Sequence, residues 1–192
     1  MNGVNNMLNH KGTLTIESDR LILRRFNIED AEDMLINWAS DTEVTKYLSW
    51  EPHKSIDITN QVISVWIDDY EKDHTYNWCI VLKSTGKVIG HISVVQLNNL
   101  HETCEIGYCL GRAFWNNGIM TEALQSVIRF LFEEVGMNRI QAKHDLDNPS
   151  SGKVMEKVGM KHEGLLRQSR KRKDGTYGST NIYSILRDEI NG

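Results

Sequence analysis

The residues whose types and spacing could do chemistry lie within 105–124, EIGYCLGRAFWNNGIMTEAL. This stretch has the pattern of a strand at 105–110, a polar turn that contains Gly111 and Gly118, and the first turn of an amphipathic helix. At the start of a helix the backbone N–H groups point outward, and the positive end of the helix dipole lies there. The pattern therefore predicts a site for a phosphate group.

The turn does not match the two common nucleotide motifs. A P-loop ends in Gly-Lys-Ser or Gly-Lys-Thr, whereas Gly118 is followed by Ile119 and Met120. A dinucleotide fingerprint needs its first glycine directly after the strand and two further glycines close behind it. Here Gly111 and Gly118 lie seven residues apart. The phosphate group predicted for this turn belongs to neither kind of nucleotide site.

Thiol and metal chemistry find less support in the sequence. The chain has three cysteines, Cys79, Cys104 and Cys109, all in predicted strands and none in a Cys-x-x-Cys pair. This pattern favours reduced, buried thiols over a catalytic cysteine. The seven histidines are scattered, and the HDLD sequence at 144–147 is explained by a strand end followed by a helix cap. We therefore expect no metal site.

Composition predicts one soluble globular domain over residues 13–192, preceded by a flexible extension at 1–12. The chain has 192 residues, 40% of them hydrophobic and 25% charged. It has no apolar run long enough to span a membrane, and its first twelve residues lack the layout of a signal peptide, so we expect a cytoplasmic protein. The net charge of −4 argues against nucleic acid as a partner. A monomer and a homodimer both fit the sequence.

Charge is distributed unevenly along the chain. Residues 28–73 contain twelve acidic residues and three lysines, whereas residues 167–173 contain Arg167, Arg170, Lys171, Arg172 and Lys173. Solvated helix faces and a solvated hairpin explain this pattern. An acidic wall that attracts a cationic partner explains it as well.

Hydrophobic periodicity divides the chain into helices and strands. The predicted helices are 28–38, 56–70, 119–136 and 149–158, the last with Asn148 as N-cap, Pro149 at the first helical position and Gly159 behind it. The predicted strands are 13–26, broken near Ser18 and Asp19, then 76–83, 88–97, 104–110, 139–145, 160–172 and 177–186. Short links make the three strands from 76 to 110 an antiparallel meander. A helix joins 104–110 to 139–145, so these two strands should run parallel and side by side.

This order of elements and several segments resemble the GNAT superfamily of acetyl-CoA-dependent N-acetyltransferases. Within it the chain is most similar to the ribosomal-protein-alanine N-acetyltransferases. The matching segments are DRLILRRF at 19–26, GHISV at 90–94, EIGYCL at 105–110, WNNGIMTEAL at 115–124 and NPSSGKVMEKVGM at 148–160. The resemblance implies an α/β (α+β) fold whose mixed, mostly antiparallel sheet has one parallel strand pair and about four flanking helices. Two departures are Asn116, where relatives usually have glycine, and Ser179, near which many have aspartate.

The resemblance also implies catalytic residues for acetyl transfer. An amine with a pKa of about 10 is mostly protonated at neutral pH, and a carboxylate can take its proton before it attacks the thioester. Glu105 is implied as this base, and Ser151 as the group that protonates the departing thiolate. An exposed residue at a strand start and a polar residue in a helix also explain these two positions.

Acetyl-CoA is the implied donor, with no metal. Strand residues 108–110 would offer backbone groups to its pantetheine arm where the strand leaves its parallel neighbour near Gly107, and the turn would bind its pyrophosphate. The residues implied to bind it are Tyr108, Cys109, Leu110, Arg112, Trp115, Asn116, Asn117, Gly118, Ile119, Met120, Thr121, Asn148 and Ser151.

The acceptor is left open by the sequence. A cationic acceptor such as the N-terminus of a ribosomal or other protein fits the acidic segment 28–73. A small cationic amine, such as a polyamine or an aminoglycoside, fits it too. A third alternative is a module that binds acyl-CoA without catalysis.

Overall fold

The protein forms one eight-stranded sheet with helices on both faces. A computed structural model describes residues 8–190. The strands are β1 (Ile16–Glu17), β2 (Leu21–Arg24), β3 (Asn77–Leu82), β4 (Lys87–Asn98), β5 (Thr103–Leu110), β6 (Arg139–Asp145), β7 (Lys161–Lys171) and β8 (Tyr177–Leu186). Their order in the sheet is β1-β2-β3-β4-β5-β6-β8-β7.

Five α-helices lie within the described residues. They are α1 (Ala31–Met34), α2 (Thr42–Thr45), α3 (Ile56–Asp69), α4 (Ile119–Phe130) and α5 (Pro149–Lys157). A 3₁₀ turn at Ile28–Asp30 precedes α1, and π-helical turns at Leu35–Ala39 and Leu131–Val135 extend α1 and α4. The predicted helix at 28–38 is thus one helical segment with three hydrogen-bonding patterns. The single turn of α2 escaped prediction because it is too short to show a period.

Strand pairing confirms the predicted fold class. β3, β4 and β5 form the antiparallel meander, and β5 pairs with β6 in parallel. β8 lies between β6 and β7, so the C-terminal hairpin forms one edge of the sheet.

The predicted first strand, 13–26, is wrong as a single strand. β1 and β2 pair with each other antiparallel, with Ile16 opposite Leu23. The N–H of Ser18 donates to the carbonyl of Leu21 across 3.0 Å, which closes a turn between them. Alternation of side chains continues across such a turn, so the sequence pattern cannot separate a hairpin from one broken strand.

The core has two parts, one on each face of the sheet. The alternation of β3 shows the division, because Trp78 and Ile80 join the cluster under α4 and α5, whereas Cys79 and Val81 join the cluster under α1 and α3. All four side chains are buried, as expected for a central strand covered on both faces.

Residues 8–12 lie against the domain. Leu8 packs on the larger core cluster, the N–H of Asn9 donates to the carbonyl of Val135 at 2.8 Å, and that of Gly12 donates to Asp73 at 2.6 Å. These contacts attach the second half of the predicted extension, while its residues 1–7 lie outside the described part of the chain. Within residues 8–190, no helix combines the length and apolar character needed to cross a membrane.

A partly buried ion pair holds the first helical segment to the sheet. Both guanidinium Nη atoms of Arg24 on β2 donate to the carboxylate of Asp30, at 2.7 and 2.8 Å. Asp30 is only 5% exposed, and its Oδ2 also accepts the N–H of Asn27 at 2.9 Å. The hydrogen bond from Arg24 to Asp30 raises the pKa of Arg24.

We expect Asp30→Asn to lower the free energy of unfolding by about 2 kcal/mol, because the partly buried Arg24 guanidinium would lose the charged acceptor of two hydrogen bonds. Urea unfolding monitored by circular dichroism measures this loss. Glu29→Gln is the matched control, since the adjacent Glu29 is exposed and its substitution should cost less than about 1 kcal/mol. Equal losses in both variants would show that the ion pair has no special role.

Candidate active site

The site is built around a gap between β5 and β6. Their parallel pairing ends where Ile106 faces Ala142, whereas β6 continues to Asp145 paired only with β8. Residues 107–110 of β5 therefore face the gap, as predicted. A Cβ atom on Gly107 would lie 3.0 Å from Val95 Cγ1, at the point where β4 bulges.

The backbone of β5 directs peptide groups into this gap. The N–H of Gly111 donates to the carbonyl of Ile89 at 2.8 Å, and hydrogen-bonded pairs alternate along an antiparallel ladder. The peptide groups of Cys109 therefore face β4, and those of Tyr108 and Leu110 face the gap. The carbonyl of Leu110 accepts a hydrogen bond from Trp115 Nε1 at 2.7 Å. Trp115 thus anchors the turn, and the peptide groups of Tyr108 remain directed into the gap.

A cleft of about 870 Å³ passes through the gap and reaches both faces of the sheet. Side chains alternate along β5, so Glu105 and Cys109 point toward the α1 and α3 layer, whereas Tyr108 points toward α4 and α5. The predicted site residues that line the cleft are Glu105, Tyr108, Cys109, Leu110, Trp115, Asn116, Gly118, Ile119, Met120, Thr121, Asn148 and Ser151.

Two predicted residues do not line the cleft. Arg112 Nε lies 3.1 Å from Asp41 Oδ2, and the Arg112 side chain is 61% exposed. Asn117 contributes its carbonyl to Arg20 Nη1 at 2.8 Å. Arg112 thus points away from the cleft in this structure, but its ion pair is exposed and weak, so a phosphate contact from Arg112 stays a prediction.

The turn before α4 depends on two residues with left-handed backbone. Asn116 has φ of +62° and Gly118 has φ of +73°. Asparagine adopts this conformation more readily than most other residues, so the exchange of the usual glycine for Asn116 leaves the turn intact. Ile119, Met120 and Thr121 begin α4 on the wall of the cleft, where helix-terminal N–H groups can bind an anion.

Arg20 holds the outside of this turn, a role that the sequence did not reveal. Its backbone N–H and its Nε donate to the two carboxylate oxygens of Glu122, at 2.8 and 2.6 Å, and Ser18 Oγ adds a third hydrogen bond at 2.7 Å. Burial raises the pKa of Glu122, but these hydrogen bonds more than offset it and hold the pKa below its usual range. The DRLILRRF segment was part of the resemblance, but no local pattern connects Arg20 to a helix about 100 residues later.

The start of α5 forms the opposite wall of the cleft. Asn148 occupies the N-cap position, yet its side chain makes no capping hydrogen bond and lines the cleft instead. A Cβ atom on Gly152 would lie only 2.7 Å from His144 Nε2, so the absence of a side chain allows α5 to pack closely on β6.

Ser151 and Tyr108 meet inside the cleft. The two hydroxyl oxygens are 2.9 Å apart, and the Tyr108 hydroxyl also lies 3.0 Å from the carbonyl of Ser151. Burial raises the pKa of Tyr108 above its usual value, so its hydroxyl stays protonated at neutral pH. The sequence predicted only a backbone role for Tyr108, because nothing local indicates a contact between residues 43 positions apart.

Glu105 is held by two donors from β6. Lys143 Nζ lies 2.8 Å from its Oε2, and Gln141 Nε2 donates to the same oxygen at 2.9 Å. The parallel register, with Glu105 opposite Gln141, creates this arrangement. The Glu105 side chain is 13% exposed and lines the cleft together with Lys143.

The basic segment 167–173 connects the C-terminal hairpin to residues around α2. Arg170 donates to the carbonyl of Tyr47, and Lys173 Nζ donates to that of Thr45 at 2.9 Å. Arg172 binds the buried Asp145 at 2.7 Å. Burial raises the pKa of Asp145, but Arg172 more than offsets this effect and holds the pKa low. Much of the basic charge therefore serves intramolecular contacts beside the cleft.

The three cysteines are free and buried, as predicted. Burial raises the pKa of each thiol to about 12. A thiol with this pKa is almost entirely protonated at neutral pH and is a poor nucleophile.

Comparisons of sequence and structure with known proteins find acetyltransferases. The family model described as "Acetyltransferase (GNAT) domain" matches residues 20–161. The uncharacterized N-acetyltransferase p20 of Bacillus licheniformis is 34% identical over 178 residues, 93% of this chain and 99% of that protein. The alanine N-acetyltransferase of ribosomal protein uS5 from Escherichia coli is 26% identical over 159 residues, 78% of this chain and 79% of that enzyme. A GNAT-family acetyltransferase structure from Bacillus anthracis matches with a TM-score of 0.79 and 27% identity, over 91% of this chain and 99% of that one.

The left-handed conformation of Asn116 should decide which substitutions the turn accepts. We expect Asn116→Gly to bind acetyl-CoA within about twofold of the wild type. Asn116→Val should raise the KM for acetyl-CoA about tenfold, because a β-branched residue at this φ costs roughly 1–3 kcal/mol. Steady-state kinetics and melting temperature separate loss of the turn from loss of the fold. Wild-type affinity in a fully folded Asn116→Val variant would contradict this account.

His91 should make stability sensitive to acid. Burial lowers its pKa from 6.5 to about 4, so the unfolded chain binds this proton more readily than the folded protein does. Its contribution is fully present above about pH 6.5 and is lost as the pH falls toward 4. We expect a loss of roughly 2–3 kcal/mol over this range, and urea unfolding of wild type and His91→Gln at several pH values measures it. Parallel pH profiles of the two proteins would exclude His91 as the cause.

Proposed function

Because the chain belongs to the GNAT acetyltransferase family, we propose that it transfers the acetyl group of acetyl-CoA to the α-amine of a protein or peptide N-terminus. The observation that carries this proposal is the cleft through the sheet. It brings the Glu105 carboxylate from one face and the Ser151 hydroxyl from the other to a single passage. An acetyl transferase needs a proton acceptor on the acceptor side and a proton donor on the donor side of one reaction centre.

The donor side has the groups that acetyl-CoA requires. The turn and the start of α4 offer N–H groups to the pyrophosphate, and the peptide groups of Tyr108 face the path of the pantetheine arm. Asn148, whose side chain makes no capping bond, lines the same path. Bound acetyl-CoA supplies an activated thioester, so this chain has only to orient it and to manage two protons.

Glu105 takes the first proton. The acceptor amine reaches the cleft mostly as an ammonium ion, and the carboxylate accepts its proton so that a neutral amine can attack. Gln141 and Lys143 both hold Oε2, which fixes the orientation of the carboxylate and leaves Oε1 as the oxygen that receives the proton. A water molecule between the amine and Oε1 would serve equally well.

Ser151 supplies the second proton. Its hydroxyl donates to the sulfur of CoA as the C–S bond breaks, and the second proton that the attacking nitrogen loses to become an amide returns to Ser151 Oγ, directly or through water. The Tyr108 hydroxyl, kept protonated by burial, donates to the Ser151 carbonyl at 3.0 Å and lies 2.9 Å from Ser151 Oγ, so its proton can turn to Oγ when negative charge develops there. The polar pair acts in a partly buried site, where such hydrogen bonds are stronger than in water.

Two observations support a protein N-terminus as the acceptor. The cleft extends onto the α1 and α3 face past Tyr47 and Trp50, which gives room for more than a small amine. The Escherichia coli relative that matches over most of this chain is named as an alanine N-acetyltransferase of ribosomal protein uS5.

Substitution of the two proton-transfer groups tests the mechanism. We expect Glu105→Gln and Ser151→Ala each to lower kcat at least about 100-fold. The KM for acetyl-CoA should change less than about threefold, because neither group binds the nucleotide end. Glu102→Gln, just before β5, and Ser64→Ala, at an exposed position of α3 outside the cleft, are matched controls and should keep normal turnover. Wild-type kcat in either test variant would remove that residue from its role.

Release of CoA thiol identifies the acceptor class. We expect peptides with a free α-amine to react with a kcat/KM at least about tenfold above that of polyamines and aminoglycosides. The opposite order would favour a small-molecule acetyltransferase. No activity with any amine, together with a rise in melting temperature on addition of acetyl-CoA, would favour a module that binds the donor without catalysis.

A further inference from the structure

A second cavity of about 330 Å³ lies beside the cleft. The end of α3, the segment before β3 and the end of β4 form its walls. The residues that line it include Trp66, Asp69, His74, Gln96 and Leu97. None of them was part of the predicted site.

The two cavities share a wall. His91, Ser93 and Val95 of β4 line both of them. Alternate residues of a strand point to the same face, and Ser93 lies opposite Gly107, two positions from Glu105 on that face. The second cavity therefore continues the acceptor side of the cleft along β4 and away from the acetyl-CoA side.

The walls of the second cavity combine apolar and acidic surface. The ring of Trp66 stacks on His91 with centroids 4.7 Å apart, and Val95 at the bulge of β4 is 56% exposed. Asp69 ends α3, where the helix dipole adds negative potential. It belongs to DDYEKD at 68–73, which has four acidic residues and one lysine.

We propose that this second cavity binds a lysine or arginine side chain from the first residues of a polypeptide acceptor that lies along β4. The inference rests on the proposed function, because it requires an acceptor longer than a single amine. The segment from His91 to Leu97 spans about 20 Å, the length of roughly six extended residues. A peptide whose α-amine reaches Glu105 can therefore place the side chain of a nearby residue against Asp69. The aliphatic part of such a side chain fits against Trp66 and Val95 while its charge meets the carboxylate.

Lys72 competes with an incoming cation for Asp69 and so weakens this subsite. Its Nζ lies 2.5 Å from Asp69 Oδ1 at the protein surface, where the pair is 57% and 41% exposed. An exposed pair of this kind is weak, so an incoming cation can displace Lys72. Removal of Lys72 should therefore strengthen the binding of a basic peptide, whereas removal of Asp69 should weaken it.

The test uses pairs of six-residue peptides with a free α-amine. The two peptides of a pair differ at one position, where one has lysine and the other glutamine, and that position is moved from the second to the sixth residue. For the lysine peptide that the wild type prefers, Asp69→Asn should raise KM about tenfold. This change corresponds to the loss of one charge-assisted contact. The kcat should stay unchanged, and KM for the glutamine peptide should change less than twofold. Lys72→Gln should lower KM for the lysine peptide. Asp68→Asn, an exposed neighbour outside the cavity, should behave as the wild type.

The outcomes separate this inference from the proposed function. Equal KM values for lysine and glutamine peptides in the wild type, or equal effects of Asp69→Asn and Asp68→Asn, would overturn the subsite while peptide acetylation stands. Acetylation of small amines with no reaction on any peptide would overturn both. Opposite shifts from Asp69→Asn and Lys72→Gln, confined to the lysine peptide, would establish the subsite.

Discussion

The separation of β5 from β6 after Ile106 is the constraint on which the rest of the structure depends. A parallel pair that ends early leaves peptide groups without strand partners, and buried groups of this kind are costly unless something else satisfies them. Here β5 stays paired with β4 along its other edge, and Trp115 satisfies the carbonyl of Leu110. The remaining groups open into a cleft that water or a ligand can enter. The same feature opens a passage through the sheet and leaves backbone groups of β5 free to bind a ligand.

The gap is useful only because α4 and α5 begin beside it. α4 starts through a turn with two left-handed residues, Asn116 and Gly118, and the contacts of Arg20 with Asn117 and Glu122 hold that turn against β2. α5 comes close to β6 because Gly152 leaves room for His144. The hydrogen bonds of Arg20 and the absence of a side chain at Gly152 therefore both affect the width of the cleft. This dependence explains why residues outside the cleft matter to its chemistry.

Much of the fold could be predicted from the sequence, because hydrophobic period and caps are local properties. The bounds of β6 and β8 agree with prediction, and the helix that joins β5 to β6 was enough to predict their parallel pairing. The contact of Tyr108 with Ser151 and the ion pair of Arg112 with Asp41 could not be predicted. These side chains come from distant segments, and only the packed sheet decides which of them meet. Family resemblance therefore named residues that line one cleft, whereas the side-chain partners of Tyr108 and Arg112 depend on the packed sheet.

The acidic segment 28–73 shows how folding changes a charge pattern. Asp30 binds Arg24, Asp41 binds Arg112, and Glu51 lies 3.9 Å from Lys173. These pairs break the predicted acidic wall into separate charges, and at physiological salt the field of an exposed charge fades within about 8 Å. Long-range attraction toward any cation is thus a weak basis for selecting an acceptor. Carboxylates that line a cavity act at contact distance, where salt screens them less, and Glu105 and Asp69 each line a cavity on one face of the sheet.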